Sequence, residues 1–182
     1  MNDIQKQAAP KTAVEKLTKL SRRDLQELCD AADDGIRAGG GFGWLKPPER
    51  HVMENYWKGV LLVPERSVII GRLDEVIAGS AQLMRPSRNN EAQAHSGTMT
   101  TNFVASWARG HGLARMIALA VEDEARAHRL SVLNLDVRET QTAAVQLYQS
   151  LGYTLYGTHA RYARVDGAWV AGLYFWKDLT AS

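Results

Sequence analysis

The hydrophobic residues of this 182-residue chain recur at helical spacing in two N-terminal segments. In the first, Ser21 is placed to cap a helix, and Asp24, three residues further on, suits the positive end of the helix dipole. The apolar stripe of this helix consists of Leu25, Leu28, Cys29, Ala32 and Ile36. The glycine-rich residues 39–43 end it, and Pro47 and Pro48 start a second helix. The predicted buried side of the second helix is formed by Val52, Met53, Tyr56, Trp57, Val60 and Leu61.

Strand patterns, rich in β-branched and other apolar residues, occupy much of the remaining chain. Strands are predicted at residues 13–19, 67–73, 76–84, 98–104, 130–137, 153–163 and 169–176. Asp74-Glu75 and Asp166-Gly167 are the predicted turns of two hairpins.

Two more helices lie among these strands. One follows Gly112, and its apolar residues at helical spacing are Leu113, Met116, Ile117, Ala120 and Val121. A charged face of this helix, expected to lie in solvent, is formed by Glu122, Asp123 and Glu124. The other helix begins at Thr140 or Thr142, ends at Gly152, and has on one face Ala144, Leu147, Tyr148 and Leu151.

The order of these elements predicts one mixed α/β domain over residues 13–182, preceded by a flexible segment, residues 1–12. A net charge of +2 gives no indication of nucleic-acid binding. No apolar run is long enough to span a bilayer. Cys29 is the single cysteine, which favours a reducing cytoplasm over a disulfide framework. It lies on an apolar helix face, which favours buried packing over a nucleophilic role. The five histidines show no ligand spacing, so no metal is expected.

The connection between the strand at 98–104 and the following helix has candidate chemistry. Gly110 and Gly112 stand one residue apart in this connection. A strand that passes through glycines into a helix start exposes backbone N–H groups at a positive dipole end, and such a turn binds phosphate. Glycine allows the anion to approach the backbone closely. Arg109 and Arg115 flank the turn and add positive charge.

Two short motifs resemble the signatures of the GNAT superfamily of acetyl-CoA-dependent N-acyltransferases. The superfamily turn Gln/Arg-x-x-Gly-x-Gly/Ala matches Arg109-Gly110-His111-Gly112-Leu113-Ala114. The second signature, a helix with a tyrosine before a Gly-aromatic pair, matches residues 144–153, which contain Tyr148 and Gly152. The resemblance covers the chain from about Leu17 onward. It implies the GNAT fold, a mixed central sheet of about six to seven strands flanked by about four helices.

A closer likeness is to the tabtoxin-resistance-like branch of that superfamily. The segments similar to this branch are residues 25–28, 39–44, 56–57, 133–136 and 174–179.

The superfamily resemblance implies how acetyl-CoA would be bound. The residues implied in binding its pyrophosphate, mainly through backbone N–H groups, are Arg109, Gly110, His111, Gly112, Leu113, Ala114 and Arg115. The His111 side chain either adds charge there or faces solvent. The strand backbone at Phe103 and Val104 would pair with the pantetheine arm. Gln141 stands where relatives have asparagine and would contact the same arm.

The resemblance also implies the chemistry: an amine attacks the thioester directly, a tetrahedral intermediate forms, and the CoA thiolate leaves. Tyr148 matches the general acid that protonates this thiolate, and its alternative role is that of a core tyrosine. Many relatives have a glutamate base on the fourth strand, where this chain has Thr98. Asp136 is the best remaining carboxylate, although it could equally cap a turn. His95 is a lesser candidate.

The favoured function is cytoplasmic acetylation of the primary amine of a small molecule: a toxin, an antibiotic or a metabolite. The alternatives are a protein or peptide N-acetyltransferase and a catalytically weak acyl-CoA-binding regulatory domain. Homodimers are common in the family, so a homodimer is among the expected assemblies. The amine pocket is expected between residues 39–57 and the closing strands near Tyr162 and Tyr174. Trp44 is assigned equally to this pocket or to packing, and packing is favoured for Tyr56 and Trp57.

Overall fold

The computed structural model describes residues 9–40 and 42–180. The four helices are α1 (Arg22–Arg37), α2 (Arg50–Val60), α3 (Leu113–Ala127) and α4 (Thr142–Ser150). The seven strands are β1 (Thr12–Lys16), β2 (Arg66–Leu73), β3 (Val76–Met84), β4 (Ser96–Val104), β5 (Val132–Arg138), β6 (Thr154–Val165) and β7 (Ala168–Asp178). Short 3-10 turns lie at Glu91–Gln93 and Ser106–Ala108. No helix among the described residues is long and apolar enough to cross a membrane.

All seven strands form one sheet in the order β1-β2-β3-β4-β5-β7-β6. The pair β4 and β5 is parallel, and every other neighbouring pair is antiparallel. The predicted mixed sheet with about four helices is therefore confirmed. Because side chains alternate between the faces of a strand, the sheet buries one core on each side. One core contains buried residues of α1 and α2, and the other contains those of α3 and α4.

The element predictions agree closely with the structure. Ser21 caps α1, and its hydroxyl accepts from the backbone N–H of Asp24 while the Asp24 side chain reaches back to Ser21, which is a capping box. Strand β1 begins at Thr12, one residue before the predicted strand and inside the segment predicted to be flexible. Residues 1–8 of that segment lie outside the described residues.

Two predictions about side-chain burial were wrong. Val52, assigned to the buried side of α2, is 40% exposed, whereas Met53, Trp57 and Val60 are buried there. Since α2 begins at Arg50, after an extended Glu49, Val52 stands in its first turn and on its outer side.

The charged segment of α3 was also predicted wrongly as a solvated face. Glu122 is 1% exposed, and both its oxygens accept from Lys177 Nζ, at 2.8 and 2.7 Å. Glu124 is largely shielded, and one of its oxygens accepts from Lys16 Nζ and Ser67 Oγ. Only Asp123 is exposed as predicted. Glu122 and Glu124 are shielded because α3 lies across the sheet, where strand residues supply partners for both carboxylates.

The parallel strands β4 and β5 separate along their length. They pair only at residues 96–98 and 132–134, although β4 continues to Val104 and β5 to Arg138. At the last pair, Asn134 Nδ2 donates to Ser96 Oγ at 2.8 Å and to the Gly97 carbonyl at 3.2 Å. The backbone edge of β4 beyond this point has no strand partner on the β5 side among the described residues. The separation opens the middle of the sheet.

A β-bulge interrupts β4 in the open region. Ser80 of β3 pairs with Phe103 and Gln82 pairs with Thr100, so Thr101 and Asn102 together oppose one residue of β3. Thr101 has a φ of 54°, in the left-handed region. Since a bulge changes the direction of the following side chain, it decides where Asn102 points.

Candidate active site

A first cleft, named here the β4–α4 cleft, lies between the open edge of β4 and helix α4. Its volume is about 350 Å³. It is lined by Ala38, Gly39, Gly40, Asn102, Phe103, Val104, Arg109, Ala114, Thr140, Gln141, Thr142, Ala143, Ala144, Leu147 and Tyr148. The side chains of Phe103 and Val104 are buried in the two cores, so these residues present mainly backbone to the cleft.

The glycine turn lies at one end of the β4–α4 cleft. Gly110 and Gly112 have φ values of 83° and 74°, which glycine adopts without strain. A Cβ atom added at either glycine would meet no heavy atom within 4 Å, so the space beside the turn is open. Gly112 is the N-cap of α3 without a side-chain cap, and the first turn of α3 contains no acidic residue. Its first N–H groups are therefore left for an external acceptor.

The remaining residues of the turn differ in what they can offer. The Leu113 side chain is buried, which leaves only its backbone for binding. His111 is exposed, and its Nδ1 lies 3.3 Å from the Ala108 carbonyl oxygen. Arg115 is also exposed, and its Nη1 donates to Ser150 Oγ at 3.2 Å. Only Arg109 and Ala114 of this turn line the cleft itself.

A second cleft, named here the β4–β5 cleft, fills the gap where the two strands separate. It measures about 420 Å³. Its lining is Phe42, Gly43, Leu45, Met99, Thr100, Thr101, Asn102, Asp136, Val137, Arg138, Gln141, Tyr148, Tyr162, Ala163 and Arg164. The two clefts share Asn102, Gln141 and Tyr148. These three residues mark the junction between them.

Tyr148 is the one phenol that lines both clefts. Its side chain is 5% exposed and packs edge to face against Tyr153, with ring centroids 5.7 Å apart. Its hydroxyl oxygen accepts from Asn102 Nδ2 at 3.1 Å, while Asn102 Oδ1 is buried with no partner among the described residues. Burial raises the pKa of Tyr148 to about 12, and the charge of Asp136 acts in the same direction. The phenol therefore keeps its proton throughout the neutral range.

Asp136 lies in β5 and lines the β4–β5 cleft together with Tyr148. Its Oδ2 accepts a hydrogen bond from the Tyr162 hydroxyl. Tyr162 reaches it from β6 by lying over Gly172 of β7, where a Cβ atom would come within 2.2 Å of the tyrosine ring. This close approach is open only to glycine at position 172. Within residues 9–40 and 42–180 the Asp136 side chain caps no turn, and its catalytic role stays a prediction.

The other predicted residues lie in different places. Thr98 is outside both clefts, in a neighbouring hollow that Asp136, Asn134 and Tyr174 also line. His95 is exposed at the start of β4, and its carbonyl accepts from the backbone of Ser131. Gln141 is at the junction, but its Nε2 donates to the Gly39 carbonyl at 3.1 Å.

The aromatic residues after the glycine loop belong to the core. Trp57 is buried, and Trp44 and Tyr56 pack against the same core with ring centroids 5.1 Å apart. None of the three lines either cleft, so the structure resolves the assignment of Trp44 in favour of packing. Cys29 is buried as predicted, and burial raises the pKa of its thiol to about 11.

Two residues of the site, Asn102 and Arg138, were not found from the sequence; Tyr162 lies in the β4–β5 cleft, in the region where the amine pocket was expected, whereas Tyr174 lines the neighbouring hollow. Asn102 and Tyr148 form a hydrogen bond although 46 positions separate them in the chain. Tyr162 and Asp136 form another, across a separation of 26 positions. Side chains alternate between the two faces of β5, so Arg138 lines the β4–β5 cleft on the same face as Asp136. Only this last residue had a local signal, because polar residues at every second position of β5 face away from the core residues between them.

The chain matches known proteins in both sequence and fold. A profile described as the acetyltransferase (GNAT) family matches residues 23–153. An N-acetyltransferase of Azospirillum brasilense, described by its place in the hisH-hisA intergenic region, is 67% identical over 128 residues, or 70% of this chain and 76% of that protein.

Solved structures show the same fold at low identity. An N-acetyltransferase from Staphylococcus aureus Mu50 has a TM-score of 0.79 and 16% identity, covering 93% of this chain and 99% of that one. A putative acetyltransferase from Salmonella typhimurium, solved with acetyl-CoA, has a TM-score of 0.76 and 15% identity, covering 94% and 95% of the two chains. The likeness to the tabtoxin-resistance-like branch stays a prediction. The profile and the Azospirillum relative show that the chain belongs to the GNAT family and is an N-acetyltransferase.

Proposed function

We propose that this enzyme transfers an acetyl group from acetyl-CoA to the primary amine of a small molecule. The observation that carries the proposal is the position of the Tyr148 hydroxyl at the junction of the two clefts. One cleft ends at the glycine turn and suits an elongated phosphate-bearing molecule. The other contains a carboxylate and suits an amine.

Acetyl-CoA fits the residues of the β4–α4 cleft. The uncapped start of α3 and Arg109 would hold its phosphates, and the open backbone edge at Phe103 and Val104 would hold its pantetheine arm. When bound, it supplies a thioester as acetyl donor. The solved Salmonella structure contains acetyl-CoA on the same fold, which supports this assignment.

Tyr148 is the proposed general acid. Asn102 donates to the phenol oxygen, so the phenolic proton is available to another acceptor, here the departing sulfur. The chain has a single cysteine, Cys29, which is buried in the core on the α1 side of the sheet. Since no thiol lies in either cleft, the residues favour direct attack by the amine over transfer through an acylated cysteine.

Asp136 is the proposed group that receives the amine. Its carboxylate lies in the β4–β5 cleft and would attract the protonated form of the acceptor and accept a proton from it. Thr98, at the position of the glutamate found in many relatives, lies outside this cleft. The phenol and the carboxylate thus divide the acid and base roles between α4 and β5.

A steady-state assay of thiol release from acetyl-CoA with a panel of amines tests the proposal. The panel includes small amines and short peptides, because a structural relative from Brucella melitensis, at 21% identity, is a ribosomal-protein-alanine N-acetyltransferase. We expect small amines to be acetylated and Tyr148→Phe to lower kcat by about 10²- to 10⁴-fold. Acetyl-CoA affinity, measured by calorimetry, should stay within about twofold, because only the hydroxyl is removed.

Tyr156→Phe is the matched control, since Tyr156 is 60% exposed and lines neither cleft. It should retain the rate of the wild type. If Tyr148→Phe also retained kcat within about threefold, the general-acid role would be rejected. If acetyl-CoA bound and no amine were acetylated at any pH, the acceptor class would be rejected.

A further inference from the structure

The β4–β5 cleft has one anionic and two cationic side chains: Asp136, Arg138 and Arg164. Asp136 and Arg138 are two positions apart on β5, so they share the strand face opposite the buried Leu135 and Val137. Their side chains begin roughly 7 Å apart, at about 3.3 Å of rise per residue. The charges of the cleft are therefore ordered along β5.

Arg138 has no carboxylate partner among residues 9–40 and 42–180. Its Nη2 donates to the carbonyl oxygens of Gly39 and Gly40, at 3.3 and 2.8 Å, and both acceptors are uncharged. Arg72, which is also shielded, is surrounded instead by the carboxylates of Glu15, Asp24 and Glu27. Arg138 is half-buried at the wall of the cleft, with a positive charge that the described part of the chain does not neutralise.

Arg164 adds a second unneutralised guanidinium on the β6 side of the cleft. Its Nε donates to the Gly167 carbonyl at 3.4 Å, and its guanidinium carbon lies 5.7 Å from the centre of the Trp169 ring. No carboxylate in the described ranges forms an ion pair with it. Arg164 is exposed, and neither of these contacts neutralises its charge.

A ligand with only an ammonium group would pair with Asp136 and leave both guanidinium groups without a counter-ion. We infer that the acceptor is a zwitterion, a free amino acid whose amine lies at Asp136 and Tyr148 and whose carboxylate lies at Arg138, with Arg164 adding to the attraction. The inference builds on the proposed function, because it names the substrate class of the same cleft. Planar guanidinium groups bind carboxylates through paired, charge-assisted hydrogen bonds, which explains why arginine is suited to this position.

Pairs of acceptors that differ only in the carboxylate test the inference. A panel of amino acids is compared with the α-amides of the same amino acids, by kcat/KM in the thiol-release assay. The wild type should prefer the acid over the amide by about 10- to 100-fold, mainly through KM. The amine of an amide is the weaker base and is more often neutral, so this preference would act against the chemical bias.

Arginine variants locate the carboxylate subsite. Arg138→Gln should reduce the acid-to-amide ratio to near one by raising KM for the acid, and Arg164→Gln should reduce it in part. Arg138 also contacts the glycine loop, so its replacement also affects overall activity. The acid-to-amide ratio of kcat/KM is therefore compared within each variant, because a general loss of activity lowers both values equally. Arg161→Gln is the control: its guanidinium carbon lies 5.6 Å from the same Trp169 ring, yet it does not line the cleft. It should keep the ratio of the wild type.

Binding provides a second readout that is independent of turnover. The affinities of the acid and of the amide are measured by calorimetry with CoA present, in the wild type and in Arg138→Gln. The inference would be overturned if the wild-type enzyme used or bound the amide as well as the acid. It would also be overturned if the enzyme preferred a tripeptide amide. Neither result would contradict acetyl transfer itself. If no amine were acetylated, the proposed function would fail, and the calorimetric ratio would still decide whether the cleft recognises a carboxylate.

Discussion

Asn102 Nδ2 donates a hydrogen bond to the Tyr148 hydroxyl oxygen at 3.1 Å, across the junction of the two clefts. This donation lowers the pKa of Tyr148, against the larger effect of burial, which raises it. The β-bulge in β4 directs Asn102 to this place, and the hydrogen bond leaves the phenolic proton for a different acceptor. Asn102 is therefore the natural positioning partner of the proposed general acid.

Removal of this partner should weaken the acid without removing it. We expect Asn102→Ala to lower kcat by about tenfold, because the pKa of Tyr148 rises and its ring loses a polar anchor. The double variant with Tyr148→Phe should be no slower than Tyr148→Phe alone, since Asn102 acts through the hydroxyl. Fully multiplicative losses in this double-mutant cycle would show that Asn102 acts independently.

The pH dependence of kcat should show no loss from tyrosine ionisation in the usual range. Burial raises the pKa of Tyr148 to about 12, so the phenol stays almost fully protonated through the neutral and mildly alkaline range and remains a competent acid. We expect kcat to rise as the acceptor amine loses its proton and then to stay level to about pH 10, near the ordinary pKa of tyrosine. A decline in kcat below that pH, absent in Tyr148→Phe, would contradict the assignment.

The role of Asp136 should also depend on pH. Asp136→Asn should lower kcat/KM by about 10²-fold at neutral pH, where the amine needs a proton acceptor, and by less at alkaline pH, where the amine is already neutral. Parallel pH profiles of the variant and the wild type provide the measurement. Asp123→Asn, at an exposed carboxylate of α3, should match the wild type. An equal loss at all pH values would indicate that Asp136 only orients Tyr162 or the substrate.

The glycine turn should be sensitive to any added side chain. Gly112→Ala should destabilise the protein by about 1–2 kcal/mol, because alanine is strained at a φ of 74°. It should also weaken CoA binding, measured by calorimetry, since the Cβ atom projects into the open space beside the turn. Gly167→Ala, with a φ of 83° in the β6–β7 turn, is a control with the same strain. Equal CoA affinity in the two variants would remove the turn from the binding site.

The buried carboxylate of α3 should matter for stability. In Glu122→Gln, Lys177 and Arg126 lose a charged partner that is 1% exposed. We expect the free energy of unfolding to fall by about 2–3 kcal/mol. This is below the usual cost of breaking a buried ion pair, because both cations are partly accessible to water. Urea unfolding measures the change. Asp123→Asn, on the exposed side of the same helix, should cost less than about 0.5 kcal/mol.

The structural elements of the candidate site that the sequence predicted depend on short local motifs. The glycine turn, α3 and the tyrosine of α4 each occupy a few consecutive positions, and local conformational preferences and periodicity act at that range. Asn102 was not found because its role depends on a bulge in β4 and on a helix that begins 40 residues later. Glu122 was misassigned because periodicity places it on the helix but does not show that Lys177 lies opposite it.

The amino-acid sequence alone determined the order of the helices and strands, their approximate ends, the position of the glycine turn before α3 and the likeness to the GNAT superfamily. These properties depend on residues that are neighbours in the chain. The tertiary structure decided that β4 and β5 separate after residues 98 and 134, that Tyr148 lies where two clefts meet, and that Arg138 shares its cleft with Asp136. Such relations arise when strands and helices distant in the chain pack against one sheet, and no local pattern encodes the distances between their side chains.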